Sequence, residues 1–316
     1  MQCISCGASI LADDKFCEEC GTPLTASKPP TAIDKCEKCG AAIDTEGYCC
    51  QCGFRQEPQV RDWLEVIINS QLAGVSDRGL KHHHNEDFLA LQQLNSSQPN
   101  ILVVCDGVSS SEKPELAAQT AAESTCLALA NAWKTAENPD SAIKSAFATA
   151  LANICNITYT KSVNLEPPST TIVAAIVQKG IATIGWLGDS RAYWISANNS
   201  QQLTQDDSWL AEVVAAGKMS EIEARHSPKS HAITRWLGAD ALEDAVPSIV
   251  KFTIPGSGYL ILCSDGLWNY TLDAAHLANL IQRSHNKDAI SISRTLVEFA
   301  RNRGGHDNIT VAVLCS

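Results

Sequence analysis

Four acidic positions in this chain fall where short apolar runs begin or end. Ile101–Cys105 is an uninterrupted apolar run, the pattern of a buried strand, and it stops at Asp106-Gly107. Tyr259–Cys263 stops the same way at Ser264-Asp265-Gly266. Asp307 lies in the turn GGHDN ahead of Ile309–Leu314, and Glu86-Asp87 precede Phe88–Leu94. A glycine after the acid frees the backbone to bend and lets a ligand approach the main chain. A single Asp-Gly is an ordinary turn dipeptide. Four acids at four strand ends are the oxygen-donor set that hard divalent cations such as Mg²⁺ and Mn²⁺ take.

A second set is built of thiols. Nine of the fourteen cysteines precede residue 53, and eight of these form four CxxC pairs: Cys3/Cys6 with Cys17/Cys20, then Cys36/Cys39 with Cys49/Cys52. The spacing lets two thiolates point at one tetrahedral centre, and a glycine follows each second cysteine (Gly7, Gly21, Gly40, Gly53), as a tight knuckle requires. The alternatives are disulfides, which a reducing compartment disfavours, and a redox CxxC, which needs a βαβ context absent from this stretch. The pattern predicts two structural Zn²⁺ ions in two small ribbons, over 1–24 and 32–56. Cys50 fits neither spacing and is expected as a free thiol. The linker 25–31, which contains SKPPT, is expected to be extended.

Charge narrows the partners. Residues 1–57 carry five Lys or Arg and nine Asp or Glu, a net −4, in a chain of formal net charge −11. Nucleic-acid phosphates would be repelled, so the ribbons read as a protein-docking or purely structural appendage. No stretch approaches the ~20 apolar residues of a membrane span. MQCISCGAS has neither the basic start nor the apolar core of a secretory signal. A soluble, cytoplasmic protein is expected.

The elements that must position the acids lie beyond a polar hinge at 54–61, in a large domain over 63–316. Trp63–Ser76 reads as one or two strands. Glu115–Asn138, rich in alanine and leucine, reads as a helix with Pro114 in its first turn, and Asp140–Tyr159 as a second helix capped by Asp140 or Ser141. Thr170–Gln178, Ile181–Leu187 and Arg191–Ser196 are spaced like an antiparallel meander. Trp209–Ala224 reads as a helical pair broken at Gly217. Ile249–Ile254 and Tyr259–Cys263 flank Pro255-Gly256 like a hairpin, and two helices follow over Leu272–Ser284 and Asp288–Asn302. Strands and helices come in blocks, which favours an α+β fold of two stacked sheets with helices outside. Cys105, Cys126, Cys155, Cys263 and Cys315 read as small buried hydrophobes, as do Trp186, Trp194, Trp236 and Trp268. Asp206 and Asp207 read as a solvated turn.

Eight blocks then occur in order: SDRGLKHHHNED (76–87), VVCDGVSS (103–110), STTIVAAIV (169–177), GDSRAYWI (188–195), LTQDDSW (203–209), ITRWLG (233–238), LCSDGLWN (262–269) and GGHDNITVAV (304–313). Together they resemble the metal-dependent Ser/Thr protein phosphatases of the type 2C class, in their bacterial branch, over about residues 70–316. The resemblance implies an α/β/β/α sandwich and hydrolysis of phosphoserine and phosphothreonine in proteins, with a hydroxide bridging two Mn²⁺ or Mg²⁺ ions as the attacking group. By position it implies that Asp106 bridges the ions, Gly107 offers its carbonyl, Glu86 holds one ion, and Asp265 and Asp307 hold the other. Asp189 resembles the ligand of a third, looser ion, and Asp87 stands behind the ligands. Lys218–His231 matches the family's variable flap. The implied partners are phosphoprotein substrates of a Ser/Thr kinase.

Three departures from the bacterial pattern stand out. His82 occupies the place of an arginine that contacts the substrate phosphate; histidine lacks the permanent charge and fixed fork of arginine. Ser109-Ser110 replaces a glycine pair and could cap the following helix. Val108 cannot act as the general acid some relatives carry there. His83 and His84 read as solvated neighbours, whereas a phosphate contact and an incidental loop position weigh evenly for His82. The missing arginine admits a second reading, a phosphatase-fold regulator that binds phosphoproteins without turnover. A third is a zinc-ribbon adaptor with a sensor domain.

Zinc analysis of the purified chain should give two Zn²⁺ per molecule that survive dialysis against excess Mn²⁺. A protein beginning at Trp63 should fold and hydrolyse a phosphoester; failure to fold would move the domain boundary, and folding without activity would make the ribbons part of the mechanism.

Overall fold

A computed structural model of the chain describes residues 41, 49–52, 62–93, 99–160, 165–240, 245–271 and 273–316. Cys3, Cys6, Cys17, Cys20, Cys36 and Cys39 lie outside the described residues. In chain order the elements are β1 (Trp63–Ile67), β2 (Leu72–Asp77), β3 (Asp87–Gln92), β4 (Asn100–Asp106), α1 (Pro114–Lys134), α2 (Pro139–Cys155), β5 (Ser169–Thr170), β6 (Ile172–Gln178) and β7 (Ile181–Leu187). They continue with β8 (Arg191–Ile195), β9 (Gln201–Gln202), α3 (Trp209–Ala215), α4 (Glu221–Arg225), β10 (Leu237–Gly238), β11 (Ser248–Thr253), β12 (Tyr259–Cys263), α5 (Asp265–Trp268), α6 (Ala274–Arg283), α7 (Ala289–Asn302) and β13 (Ile309–Cys315).

Two antiparallel sheets stack face to face, one in the order β1-β2-β13-β12-β8-β9 and the other β11-β7-β6-β4-β3. Alternation along each strand decides which layer a side chain joins. In β4, Leu102 and Val104 enter the layer between the sheets, while Ile101, Val103 and Cys105 meet α1 and α2 outside. In β13, Ala312 and Leu314 enter the same middle layer, and Ile309, Val311 and Val313 meet α6 and α7. The layers therefore run helix, sheet, sheet, helix, as the blocks of elements predict. Among the described residues no helix is long and apolar enough to cross a membrane.

Helix ends follow capping chemistry. The Asp273 carboxylate accepts from His276 N at 2.8 Å and the Asp288 carboxylate from Ser291 N at 3.1 Å. The first long helix ends at Lys134, short of the expected Asn138: Ala136 takes φ +55, and the Asn138 side chain accepts from Asp140 N to cap α2. Asn138, not Asp140 or Ser141, is thus the cap. The paired helices α3 and α4 flank Gly217, which takes φ +64.

Two strand pairings differ from expectation. β6 and β7 form a hairpin, but β8 crosses to the other sheet and pairs with β12. The chain crosses at Gly188-Asp189-Ser190, where Gly188 takes φ +100. β11 and β12 are likewise no hairpin, since β11 joins β7 while β12 lies between β13 and β8. Two apolar strands about a Pro-Gly turn look alike whether they pair or part. Cys105, Cys126 and Cys263 are buried and Cys315 is half-buried, whereas Cys155, the last residue of α2, is exposed. Trp186 and Trp194 are core, and Trp236 and Trp268 are half-buried.

Leu102 is fully buried between the sheets, so Leu102→Ala should cost about 3 kcal/mol in denaturant unfolding of the large domain. Leu127→Ala, at a position 61% exposed on α1, should change it by less than about 0.5 kcal/mol.

Candidate active site

The strand-end acids arrive at one edge of the sandwich from five strand ends. Asp106 ends β4 directly opposite Asp87, which opens β3. Glu86 precedes β3, Asp189 sits in the crossing after β7, Asp265 opens α5 directly after β12 and Ser264, and Asp307 stands two residues before β13. Burial pushes the Asp106 carboxyl well above its ordinary range, and the charges of Asp87, Asp265, Asp307 and Asp189 push it further. Asp307 rises through burial and then the charges of Asp265 and Asp87. Asp189 rises through burial and then through Asp265 and Asp206, with Arg191 opposing. Burial raises Glu86 to about 7, against the Ser109 hydroxyl, which donates to its Oε2 at 2.6 Å. Burial also raises Asp87 to about 7, against the Ser264 hydroxyl, which donates to its Oδ2 at 2.7 Å. The acids share one basin.

Among the described residues no three His, Cys, Asp or Glu side chains close on one ion by themselves. The donors of the basin are hard oxygens. Such a site suits Mg²⁺ or Mn²⁺, which take a few carboxylates and complete their shells with water and substrate oxygens.

Close backbone approaches fix the carboxylates. A Cβ at Gly266 would come 1.9 Å from Asn308 O, and one at Gly107 would come 2.6 Å from Pro114 O. Asn308 joins the far ends of the large domain: Glu86 N donates to its Oδ1 at 2.7 Å, and its Nδ2 donates to Arg78 O at 2.8 Å and His84 O at 3.0 Å. The loop that carries Glu86 is thereby hung on the residue next to Asp307. Ser109 does not cap α1, which begins at Pro114 without a side-chain cap; it turns to Glu86, and the Ser110 hydroxyl turns to Glu166 Oε2 at 3.2 Å.

Asp206 and Asp207 are not a solvated turn. Asp206 takes a two-pronged grip from Arg191, at 2.8 Å from Nε and 2.6 Å from Nη2. Asp207 accepts from Gly188 N at 3.1 Å and from Arg235 Nη1 at 3.0 Å. The Arg191 guanidinium stacks 3.7 Å from the centre of the Trp268 ring, and Trp268 Nε1 donates to Asp189 O at 2.9 Å. Sequence reasoning missed Asn308, Ser109, Arg191, Asp206, Asp207 and Trp268 as site-builders. The one local signal was the pairing of a lone basic residue in GDSR with two acids in LTQDDS.

In the N-terminal region, Cys49 is buried, and the amides of Gln51 and Cys52 each donate to its Sγ at 3.4 Å. Amides that converge on one sulfur suit a thiolate ligand. Cys50 is exposed.

Residues 78–299 match the sequence profile of protein phosphatase 2C, and residues 3–53 that of the double zinc ribbon. The chain belongs to the protein phosphatase 2C family. Serine/threonine phosphatase stp of Listeria welshimeri is 30% identical over 253 residues, which is 76% of this chain and 93% of the relative. The structure of the S. agalactiae serine/threonine phosphatase is 26% identical with a TM-score of 0.63, covering 77% of this chain and 97% of that one. Serine/threonine phosphatase Stp1 from Staphylococcus aureus shares the fold, with a TM-score of 0.66 at 22% identity, covering 83% and 99% of the two chains. By class this phosphatase 2C member is a protein-serine/threonine phosphatase.

Position 82 has a definite geometry. His82 is only 4% exposed, and its Nε2 stands 3.2 Å from Asp307 Oδ1 without the alignment of a hydrogen bond. Burial lowers the imidazole to about 4, helped by the charges of His83 and Arg78. His83 and His84 are exposed. Arg78 is tied to Asp62 at 3.2 Å and donates to His82 O.

Asn308→Ala should release the 78–86 loop from β13. The three lost bonds predict a stability loss of about 2–4 kcal/mol in denaturant unfolding and a fall in phosphatase rate of at least tenfold. Asn308→Asp keeps the acceptor for Glu86 N but turns a buried carboxylate oxygen toward two carbonyls beside Asp307, so it should lose no less of either.

Proposed function

We propose that this chain hydrolyses phosphoserine and phosphothreonine in proteins with the help of divalent cations held by Glu86, Asp106, Gly107, Asp189, Asp265 and Asp307. One observation carries the reading: five carboxylates from separate strand ends are held in one basin, at a cost in mutual repulsion that bound cations would relieve. Mn²⁺ or Mg²⁺ bound there supplies Lewis-acid neutralisation of phosphoryl charge and makes nearby water more acidic.

The chain's own groups do the rest. Asp106 faces Asp87, Asp265, Asp307 and Asp189, so its charge is felt by the whole basin. Ser109 orients Glu86, and Asn308 fixes the spacing between the Glu86 loop and Asp307. His82 lies buried beside Asp307, its Nε2 3.2 Å from Oδ1, where it steadies that carboxylate. The two thiols nearest the acids, Cys105 and Cys263, are fully buried, and burial pushes both well up, so neither supplies a thiolate nucleophile. The attacking group is read as water made more acidic by the cations. The ribbons are read as two structural Zn²⁺ sites that dock a protein partner or stabilise the N-terminus; their net negative charge weighs against nucleic acid. A Ser/Thr kinase supplies the phosphorylated substrates, in the cytoplasm.

The test is phosphate release from a phosphothreonine peptide across a Mn²⁺ titration, with a chelator arm. Wild type should be active with Mn²⁺ and silent with chelator. Asp265→Asn and Asp307→Asn should each lose at least tenfold in rate and regain part of it at high Mn²⁺. Asp106→Asn should lose at least a hundredfold and regain nothing, because its charge serves every cation position. Asp189→Asn should lower turnover and leave the tightly held metal in place. Wild-type rates in all four would make the acids turn residues, and phosphopeptide binding without release by the wild-type protein would favour the regulator.

A further inference from the structure

We propose that Asp207 is a positioning residue that ties the Gly188-Asp189 turn to both stems of the 208–236 segment, so that this segment and the Asp189 carboxylate shift together. The consequence for catalysis rests on the phosphatase reading above; the tie itself does not.

Asp207, at the entry stem, reaches two other parts of the chain. It exchanges bonds with Gly188, its own N donating to Gly188 O at 2.9 Å while Gly188 N donates to its Oδ2 at 3.1 Å. Its Oδ1 accepts from Arg235 Nη1 at 3.0 Å and its carbonyl from Thr234 N at 2.9 Å. The next residues close the base of the segment: Ser208 bridges to Ile233, and Trp209 N donates to Ala232 O at 2.8 Å. Arg235 is held in turn by Ser248 Oγ at 3.2 Å and by Val246 O, at the start of β11. The entry stem, the exit stem and the turn bearing Asp189 thus meet on one carboxylate.

Two features make this more than a local turn. The segment has little else to hold it. Of the residues in α3 and α4 only Ala224 is buried, and Met219 and Ile222 are 43% and 72% exposed. Its order is therefore set at the stems. The turn, by contrast, has no slack. Gly188 takes φ +100, and a Cβ there would come 2.7 Å from the Thr171 side chain. A second strap runs alongside from Asp206 through Arg191 to Trp268, which donates to Asp189 O. A displacement of either stem is passed to Asp189 through Asp207 rather than absorbed by the loop.

The experiment measures amide hydrogen exchange on the full-length chain without added Mn²⁺, in wild type, Asp207→Ala, Arg235→Gln and Glu221→Gln. Glu221 pairs with Arg225 inside the segment, away from its stems. Losing one charge-assisted tie predicts about tenfold faster exchange over both 188–191 and 208–236 in Asp207→Ala and in Arg235→Gln. Glu221→Gln should act only near 221–226. In a parallel Mn²⁺ titration of phosphopeptide hydrolysis, Arg235→Gln should raise the Mn²⁺ needed for half-maximal rate several-fold, with KM changed less than twofold. Asp207→Asn, which keeps an acceptor for Gly188 N, should fall between Asp207→Ala and wild type. The proposal is overturned if Arg235→Gln loosens 208–236 while 188–191 exchanges at the wild-type rate. Arg235→Gln keeps the experiment decisive if Asp207→Ala fails to fold. Should the wild-type protein release no phosphate, the phosphatase reading fails while the exchange data still decide the tie.

Discussion

Like charges buried together repel, and much of this large domain answers to that repulsion. Glu86, Asp106, Asp189, Asp265 and Asp307 belong to different elements, and nothing in their own chemistry would bring them together. Backbone geometry does it. Asp87 and Asp106 are register partners across β3 and β4, and Asp265 and Asp307 flank the neighbouring strands β12 and β13. The two sheets are then joined at this edge by polar bonds: Ser264 donates to Asp87, and Asn308 binds the loop that leads into β3. The apolar layer between the sheets gives the cohesion, and these few buried polar groups set the distances.

That division of labour explains what was legible in the sequence. An acid at the end of an apolar run is a local pattern, so Asp106, Asp265 and Asp307 stand out without any knowledge of the architecture. Period-two burial gives β4 and β13 their two faces, and the blocks of elements give the layers. Which sheet a strand joins is a non-local matter. β8 and β11 each lie next to a strand in sequence yet pair elsewhere, because the crossing at Gly188 and the 254–258 connection carry the chain between layers. Asp206 and Asp207 escape sequence reasoning for a related reason. Two adjacent acids in a polar stretch look solvated until Arg191 and Arg235 arrive from other elements. Cys155 errs in the opposite direction, as an apolar-looking position on the outer side of α2.

His82 shows how burial selects the side chain a position can hold. An arginine in that place would carry a charge that burial opposes strongly, and its length would reach beyond the loop. The imidazole fits under the loop, beside Asp307, with Arg78 closing over its carbonyl. The loop thereby has a buried imidazole as its anchor beside an acidic basin.

The position of β13 has a consequence for how the protein comes into being. It is the last strand of the sandwich, yet it is inserted between β2, near the start of the large domain, and β12. Until it enters, β2 and β12 present open edges to one another, and Asp307 and Asn308 have no fixed place. The loop bearing Glu86 then lacks its anchor as well. During synthesis the earlier strands and helices can form while the ribosome is still delivering the remainder, but pairing across so wide a sequence separation is slow and comes late. The nascent chain therefore stays inert until β13 has been made and threaded into the sheet, and a truncated product from an interrupted message would carry the acids without the geometry to use them.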